Sequence, residues 1–202
     1  PTGIELRALG GASLEKVVLT DVVITNLVES TTGGAVTGVK MEYVNQLVID
    51  GLSVFTGSGA PGGSVNGSNQ IGGVGGQAIG LEVFGNEGGG VCQIENIRIA
   101  DLRGGKGGYL YGTNGSAGVG GSAIGIRMRQ IAACTLEHIG VVNLRGGNGG
   151  DAYATAASFG SGGGVVGIQI DGSDTETTGI RINHFTAAGY VVGVSGVAAP
   201  VC

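Results

Sequence analysis

Residues 80–108, GLEVFGNEGGGVCQIENIRIADLRGGKGG, contain two alternating apolar segments followed by a run of paired glycines. In Gly80-Leu81-Glu82-Val83 the apolar residues lie two apart, which puts them on one face of an extended chain. In Ile94-Glu95-Asn96-Ile97-Arg98-Ile99 the segment is rich in isoleucine, a residue that favours strands. The closing phrase Leu102-Arg103-Gly104-Gly105-Lys106-Gly107-Gly108 has neither pattern and cannot be part of an ordinary core.

Each part recurs along the chain. The first segment returns at Gly3-Ile4-Glu5-Leu6, Gly38-Val39-Lys40-Met41, Gly125-Ile126-Arg127-Met128, Gly167-Ile168-Gln169-Ile170 and Gly193-Val194, with steps of 35, 42, 45, 42 and 26 residues. The second returns at Leu19–Ile24, Ile49–Val54, Leu136–Val141 and, in shorter form, Ile180-Arg181-Ile182. The shortest step holds two strands and their turns, about one coil of a repeat protein. Longer steps place their extra residues at one point, after the second strand: 57–77, 104–122 and 146–164. Residues 1–202 are therefore expected to form one all-β domain. The expected fold is a single-stranded parallel β-helix (a solenoid) of about five coils, with stacked Gly-rich loop insertions on one side.

Composition narrows the functional classes. Glycine makes up 46 of 202 residues, against a usual share of about 7 %. Hydrophobic residues are 42 % and charged residues 12 %, so the chain can build a core. Net charge is −5 and the 10 Lys and Arg are scattered, which gives no basic footprint for nucleic acid. No apolar run reaches the length of a membrane span. The chain opens at Pro1 without a signal-peptide pattern, and is expected to be a mature or excised segment.

On these repeats the chain resembles the right-handed parallel β-helix of the pectate-lyase-like superfamily, in fold pattern and without its catalytic motif. The resemblance implies polar turn ladders, and Asn26, Thr56, Asp101, Asn143 and His184 form such a column at the exit from the second strand. Leu27, Leu102, Leu144 and Phe185 follow as an inward column. The Gly-rich loops resemble the polyglycine sandwiches of some phage tail-tip adhesins. Two loop readings stand: flexible surface loops, or extended runs packed against each other in polyproline-II-like form. The second is favoured, because Val74, Leu110 and the aromatic residues are odd in a linker. The residues expected to make contacts are Arg103, Lys106, Tyr109, Tyr111, Arg145, Asn148, Tyr153 and Phe159.

The remaining reactive residues suggest no chemistry. Cys92 and Cys134 share a column, either bonded or as two buried small apolar residues; parallel side chains in stacked strands argue against the bond. Cys202 is left over. His138 and His184 lack a nucleophile and an orienting acid. Asp171, Asp174 and Glu176 are acidic neighbours without the spacing of a calcium loop. Asn66-Gly67-Ser68 and Asn114-Gly115-Ser116 are glycosylation sequons or tight Asn-Gly turns, set at matching points of two loops. No catalytic residue, metal ligand or cofactor is expected.

The functional expectation is a non-enzymatic extracellular or cell-surface protein, structural or adhesive. It would act as a homo-oligomer or filament subunit, or as a binder of a cell-surface or glycan ligand. A carbohydrate-binding or polysaccharide-cleaving β-helix is the alternative. Ice binding ranks last, because Thr20, Thr25 and Thr135 are scattered.

Overall fold

The alternating segments form strands, and the strands pair in parallel. In a computed structural model the described residues are 1–8, 12–85, 90–153, 156–171 and, for the backbone alone, 179–188. The described residues form ten strands: β1 (Thr2–Arg7), β2 (Val17–Val28), β3 (Val36–Val44), β4 (Gln46–Ser58), β5 (Ala78–Gly85), β6 (Gly90–Arg103), β7 (Ala123–Arg129), β8 (Ile131–Val142), β9 (Val165–Asp171) and β10 (Gly179–Ala188). There is no helix among the described residues. Odd-numbered strands make one sheet, β1-β3-β5-β7-β9, and even-numbered strands make the other, β10-β8-β6-β4-β2. The chain thus passes from one sheet to the other at every step, and each odd–even pair is one repeat. Gly193-Val194, expected as a further strand, lies outside the described residues.

The glycine that opens each odd strand has a packing reason. Gly3, Gly38, Gly80, Gly125 and Gly167 lie in one register column. Across the core stands a column of β-branched residues, Ile24, Val54, Ile99 and Val141. A Cβ built on Gly80 would lie 2.7 Å from Ile99 Cγ2, and one on Gly38 2.7 Å from Val54 Cγ1. The missing side chain lets the branched residue of the other sheet pack on the bare backbone. Val39, Leu81, Ile126, Leu52, Ile94 and Leu136 fill the rest of this buried core.

The even strands bend where single residues adopt left-handed backbone angles. Asp21, Gly51, Asn96 and His138 form one such column, with φ of 51°, 78°, 54° and 53°. Asn26, Thr56, Asp101 and Asn143 form the second, with φ of 59°, 59°, 58° and 54°. Asn and Asp tolerate this conformation and hydrogen-bond locally. Asn96 Nδ2 donates to Asp50 Oδ1 at 2.7 Å, and Asn143 Nδ2 to Asp101 Oδ1 at 3.1 Å.

Two column assignments are corrected. Asn183 pairs with Glu137 and Phe185 with Ile139, so His184 belongs opposite His138 and not after Asn143. Phe185 accordingly continues the Leu52–Ile97–Ile139 column rather than that of Leu144. The slip is five residues, the spacing between the two bends at His138 and Asn143; each bend is followed by a buried apolar residue, Ile139 or Leu144, so a polar residue followed by an apolar one fits at either.

The Cys92–Cys134 pair forms a disulfide, with a Cα–Cα distance of 4.4 Å between register partners. The expectation that stacked side chains would stay apart is corrected. The two backbones approach closely enough here for the bond to span them.

The first repeat is less enclosed than the second, third and fourth. Strands β1 and β2 each pair on one side only. Their inward residues Ile4, Leu6, Val17, Leu19, Val22 and Leu27 are only half-buried.

Candidate functional site

The Gly-rich loops leave the even sheet, run outward, and return to the odd sheet. Each has an outbound and a return leg, and both are ordered by backbone hydrogen bonds with a period of three residues. On the outbound legs, Gly59, Gly62 and Val65 donate to Arg103, Lys106 and Tyr109 of the next loop at 3.0, 2.8 and 2.9 Å. Gly104, Gly107 and Leu110 donate in the same way to Arg145, Asn148 and Asp151. On the return legs, Gly72, Gly75 and Ala78 donate to Ser116, Val119 and Ser122.

A second set of bonds ties the two layers of legs together. Gly76 donates to Ala60, Gly105 to Gly76, Gly121 to Gly105, Gly147 to Gly121 and Gly163 to Gly147, each at 2.8 Å. A parallel zigzag runs through Gly63, Gly73, Gly108, Gly118, Gly150 and Gly160. Three residues per turn without bonds inside a leg is the signature of polyproline II, whose backbone groups are free to pair outward. Of three successive positions, one bonds to the next loop and one to the facing layer. The third points its side chain to solvent.

Close approach is what makes glycine necessary. A Cβ on Gly105 would fall on the Ala60 carbonyl oxygen, and one on Gly121 on that of Gly76. Burying backbone without partners would cost about 1–3 kcal/mol per group. The lattice removes that cost by pairing them.

The outward positions carry the expected contact residues. Arg103, Lys106 and Tyr109 lie three apart on one loop, and Arg145, Asn148 and Asp151 three apart on the next. Beyond Tyr109 the chain buries Leu110 completely, and Tyr111 and Tyr153 follow at the turn. Tyr111 and Tyr153 stack with ring centroids 5.4 Å apart and planes 8° apart. Tyr109 sits 6.0 Å from Tyr111 and 5.9 Å from Tyr153, tilted by 31° to both. Tyr111 is 53 % exposed and Tyr153 63 %, so most of the stack faces water.

Lys106 and Asp151 form the polar flank. Lys106 Nζ donates to Asp151 Oδ2 at 2.8 Å and to the Tyr109 hydroxyl at 3.1 Å, and lies 4.5 Å from the Tyr109 ring centroid. The hydrogen bond to Asp151, and then that to Tyr109, hold Lys106 above the ordinary lysine range. The Tyr153 phenol is pushed up first by partial desolvation and then by the Asp151 carboxylate.

The structure therefore brings Lys106, Tyr109, Tyr111 and Tyr153 together. Arg103, Arg145 and Asn148 line the same outer face nearer the sheets, and Arg103 and Arg145 are bridge partners. Phe159, 73 % exposed, lies on a return leg. Asp151 was missed; the local period of three in Arg103–Tyr109 and Arg145–Asp151 was the signal that places it. The sequons do not match as expected: Asn69 pairs with the Asn114 region, and both adopt left-handed angles, 58° and 54°. The loops superpose residue by residue on their bridges, Val65 on Leu110 and Ile71 on Ser116, which shifts Asn66 opposite Tyr111.

A second polar feature lies on the outer face of the odd sheet. Glu5, Lys40, Glu82, Arg127 and Gln169 form one register column, and Arg7, Glu42, Phe84, Arg129 and Asp171 another. Charges alternate along both. Lys40 Nζ lies 2.7 Å from Glu42 Oε1, Arg7 Nε 2.9 Å from Glu42 Oε2, and Arg129 Nε 3.2 Å from Asp171 Oδ2. Arg127 is buried between Gln77, Glu82 and Gln169. Lys40, Glu42, Gln77, Glu82, Arg127 and Arg129 line a groove of about 420 Å³. Opposite charges directly across a strand pair stabilise a sheet, so the columns have a structural role irrespective of any ligand. Of the acidic group noted in the sequence, Asp171 is paired with Arg129 and Gln169, while Asp174 and Glu176 lie outside the described residues, as does Cys202.

Comparisons with protein-family models, with curated proteins and with solved structures find no match to this chain.

Proposed function

We propose that the chain is a single-stranded parallel β-helix that serves as a non-enzymatic, extracellular or cell-surface structural or adhesive protein. On this reading the five odd–even repeats are coils of a solenoid, and the glycine block is a rigid arm built on one side of it. The observation that carries the reading is the block itself. Its backbone is paired in two directions, and its outer face presents exposed side chains at fixed spacing. Preorganised side chains bind with less ordering cost than those of a flexible loop.

Two further features support the reading. The Cys92–Cys134 bond suits an oxidising compartment. Strands β1 and β2 each pair on one side only and lie above half-buried apolar residues, a surface on which a further repeat, of this polypeptide or of another copy, would stack. A filament built head to tail follows from that end, and a glycan or cell-surface ligand from the loop end.

Electron microscopy of the purified chain over a concentration series tests the reading. Filaments support the structural arm, and short monodisperse rods the adhesive one. The groove on the odd sheet favours the alternative of a carbohydrate-acting protein, because Glu42, Glu82, Lys40 and Arg127 share it. Release of reducing ends from a polysaccharide, abolished by Glu82→Gln, would overturn the non-enzymatic reading.

A further inference from the structure

We infer that the stacked pair Tyr111–Tyr153, with Lys106 and Asp151 beside it, is a binding site for an uncharged saccharide. This rests on the loop end being the contact surface of an adhesive protein, and names the ligand class.

Three observations converge on it. First, Tyr111 and Tyr153 are nearly parallel and mostly exposed. Flat rings left in water are costly, and a sugar ring offers a patch of C–H groups of matching size and shape. Second, the polar flank is balanced. Lys106 and Asp151 form an ion pair at 2.8 Å, which offers donors and acceptors without net charge. The pair itself suits hydroxyl groups and gives no preference to a carboxylate, sulfate or phosphate; Arg103 and Arg145, on the same face, lie nearer the sheets, at least three residues along their legs. Third, the platform is rigid. Tyr111 N–H donates to Val65 and Tyr153 N–H to Leu110, each at 3.0 Å, and Leu110 is fully buried beneath. A site held within tight tolerances by its support is what binding of a small rigid ligand requires.

Other features of the surface carry less. The charged columns on the odd sheet are mutually neutralised, and the stacked carboxylates Asp50, Glu95 and Glu137 have nothing beside them that points to a cation. The apolar residues Ile71, Val74 and Val119 on the return legs have nothing to define what would cover them.

The test uses the intact chain. There is no Trp, and three of the five Tyr belong to this cluster, so intrinsic tyrosine fluorescence reports on the site directly. The probes are cellohexaose, maltohexaose and a mannan oligosaccharide, with polygalacturonate and heparin as acidic counterparts. The expected result is a saturable fluorescence change with at least one neutral probe. Tyr153→Ala and Tyr111→Ala should each weaken it by about three- to tenfold. Asp151→Asn should weaken it while leaving the far-ultraviolet circular dichroism unchanged.

No saturable change with any neutral probe at millimolar concentration overturns the inference, as does binding to the acidic probes alone. So does neutral binding that persists in a Tyr111→Ala/Tyr153→Ala chain. Loop-dependent attachment to cells that is lost on protease treatment of those cells would identify a protein ligand. That would also overturn the inference, while leaving the adhesive reading in place.

Discussion

Replacing Gly121 by alanine should destabilise the protein far more than replacing Gly164, although both are loop glycines next to a strand. In the native structure Gly121 N–H donates to Gly105, and Gly121 C=O accepts from Gly147, both at 2.8 Å. A Cβ on Gly121 falls on the Gly76 carbonyl oxygen, so the legs must part. Separation loses or strains two hydrogen bonds, at about 1 kcal/mol each, and overpacking adds about 1–3 kcal/mol. The unfolded-state advantage of alanine returns at most about 1 kcal/mol. The net expectation is a loss of about 2–4 kcal/mol. For a chain of this size that lowers Tm by roughly 5–15 °C. A Cβ on Gly164 meets only Ser122 Oγ at 3.7 Å, an ordinary contact, and should be neutral or slightly stabilising. Urea unfolding followed by circular dichroism gives both values on one scale. Equal midpoints for the two variants would refute the packed-lattice reasoning.

Three further outcomes are expected. Gly80→Ala should cost about 1–3 kcal/mol by overpacking against Ile99, and Ile99→Ala in the same chain should recover part of it, which a double-mutant cycle measures. Replacing Cys92 and Cys134 together by serine should lower stability by about 4 kcal/mol, from the loop of 42 residues that the bond closes; peptide mapping without reductant should show the two linked. Lys40 is held above its ordinary range, chiefly by its hydrogen bond to Glu42. A raised folded-state pKa gives stability that is complete below the unfolded value, near ~10.4, and is lost as pH rises through the folded value. The stability gap between the native chain and Lys40→Met should therefore be constant from neutral pH to about 10 and narrow above it.

The strands were legible because period-two alternation is a local property, and the glycine opening each odd strand marked the register. The reach of the pattern ended where alternation was short. Ile180-Arg181-Ile182 is too short to fix the register, and His184 and Phe185 belong with His138 and Ile139, five residues before Asn143 and Leu144. The glycine loops were legible as insertions but not as a lattice. Their order comes from bonds between residues such as Gly76 and Gly105, in different loops, whose pairing depends on how the parallel strands beneath them stack. The period of three in Arg103-Gly104-Gly105-Lys106 was present in the sequence, and would have placed Asp151 opposite Tyr109, one step from Lys106. Tyr111 and Tyr153 share the 42-residue offset of Leu102 and Leu144, so the repeat already sets them at matching points; what only the structure shows is that the loops are ordered there, by the bridge from Leu110 to Ala152, so that the two rings stack. The disulfide depended on a local backbone approach, to 4.4 Å, that no spacing in the sequence encodes.

The Gly-rich loops are a hydrogen-bonded block and not flexible tethers. Amide hydrogen exchange resolved to single residues tests it most directly, because the bonds at issue are backbone N–H groups. Gly105, Gly118, Gly121 and Gly147 should exchange as slowly as the strand amides of Ile94 and Leu136. Exchange of those glycine amides at the rate of an unstructured glycine peptide would contradict it.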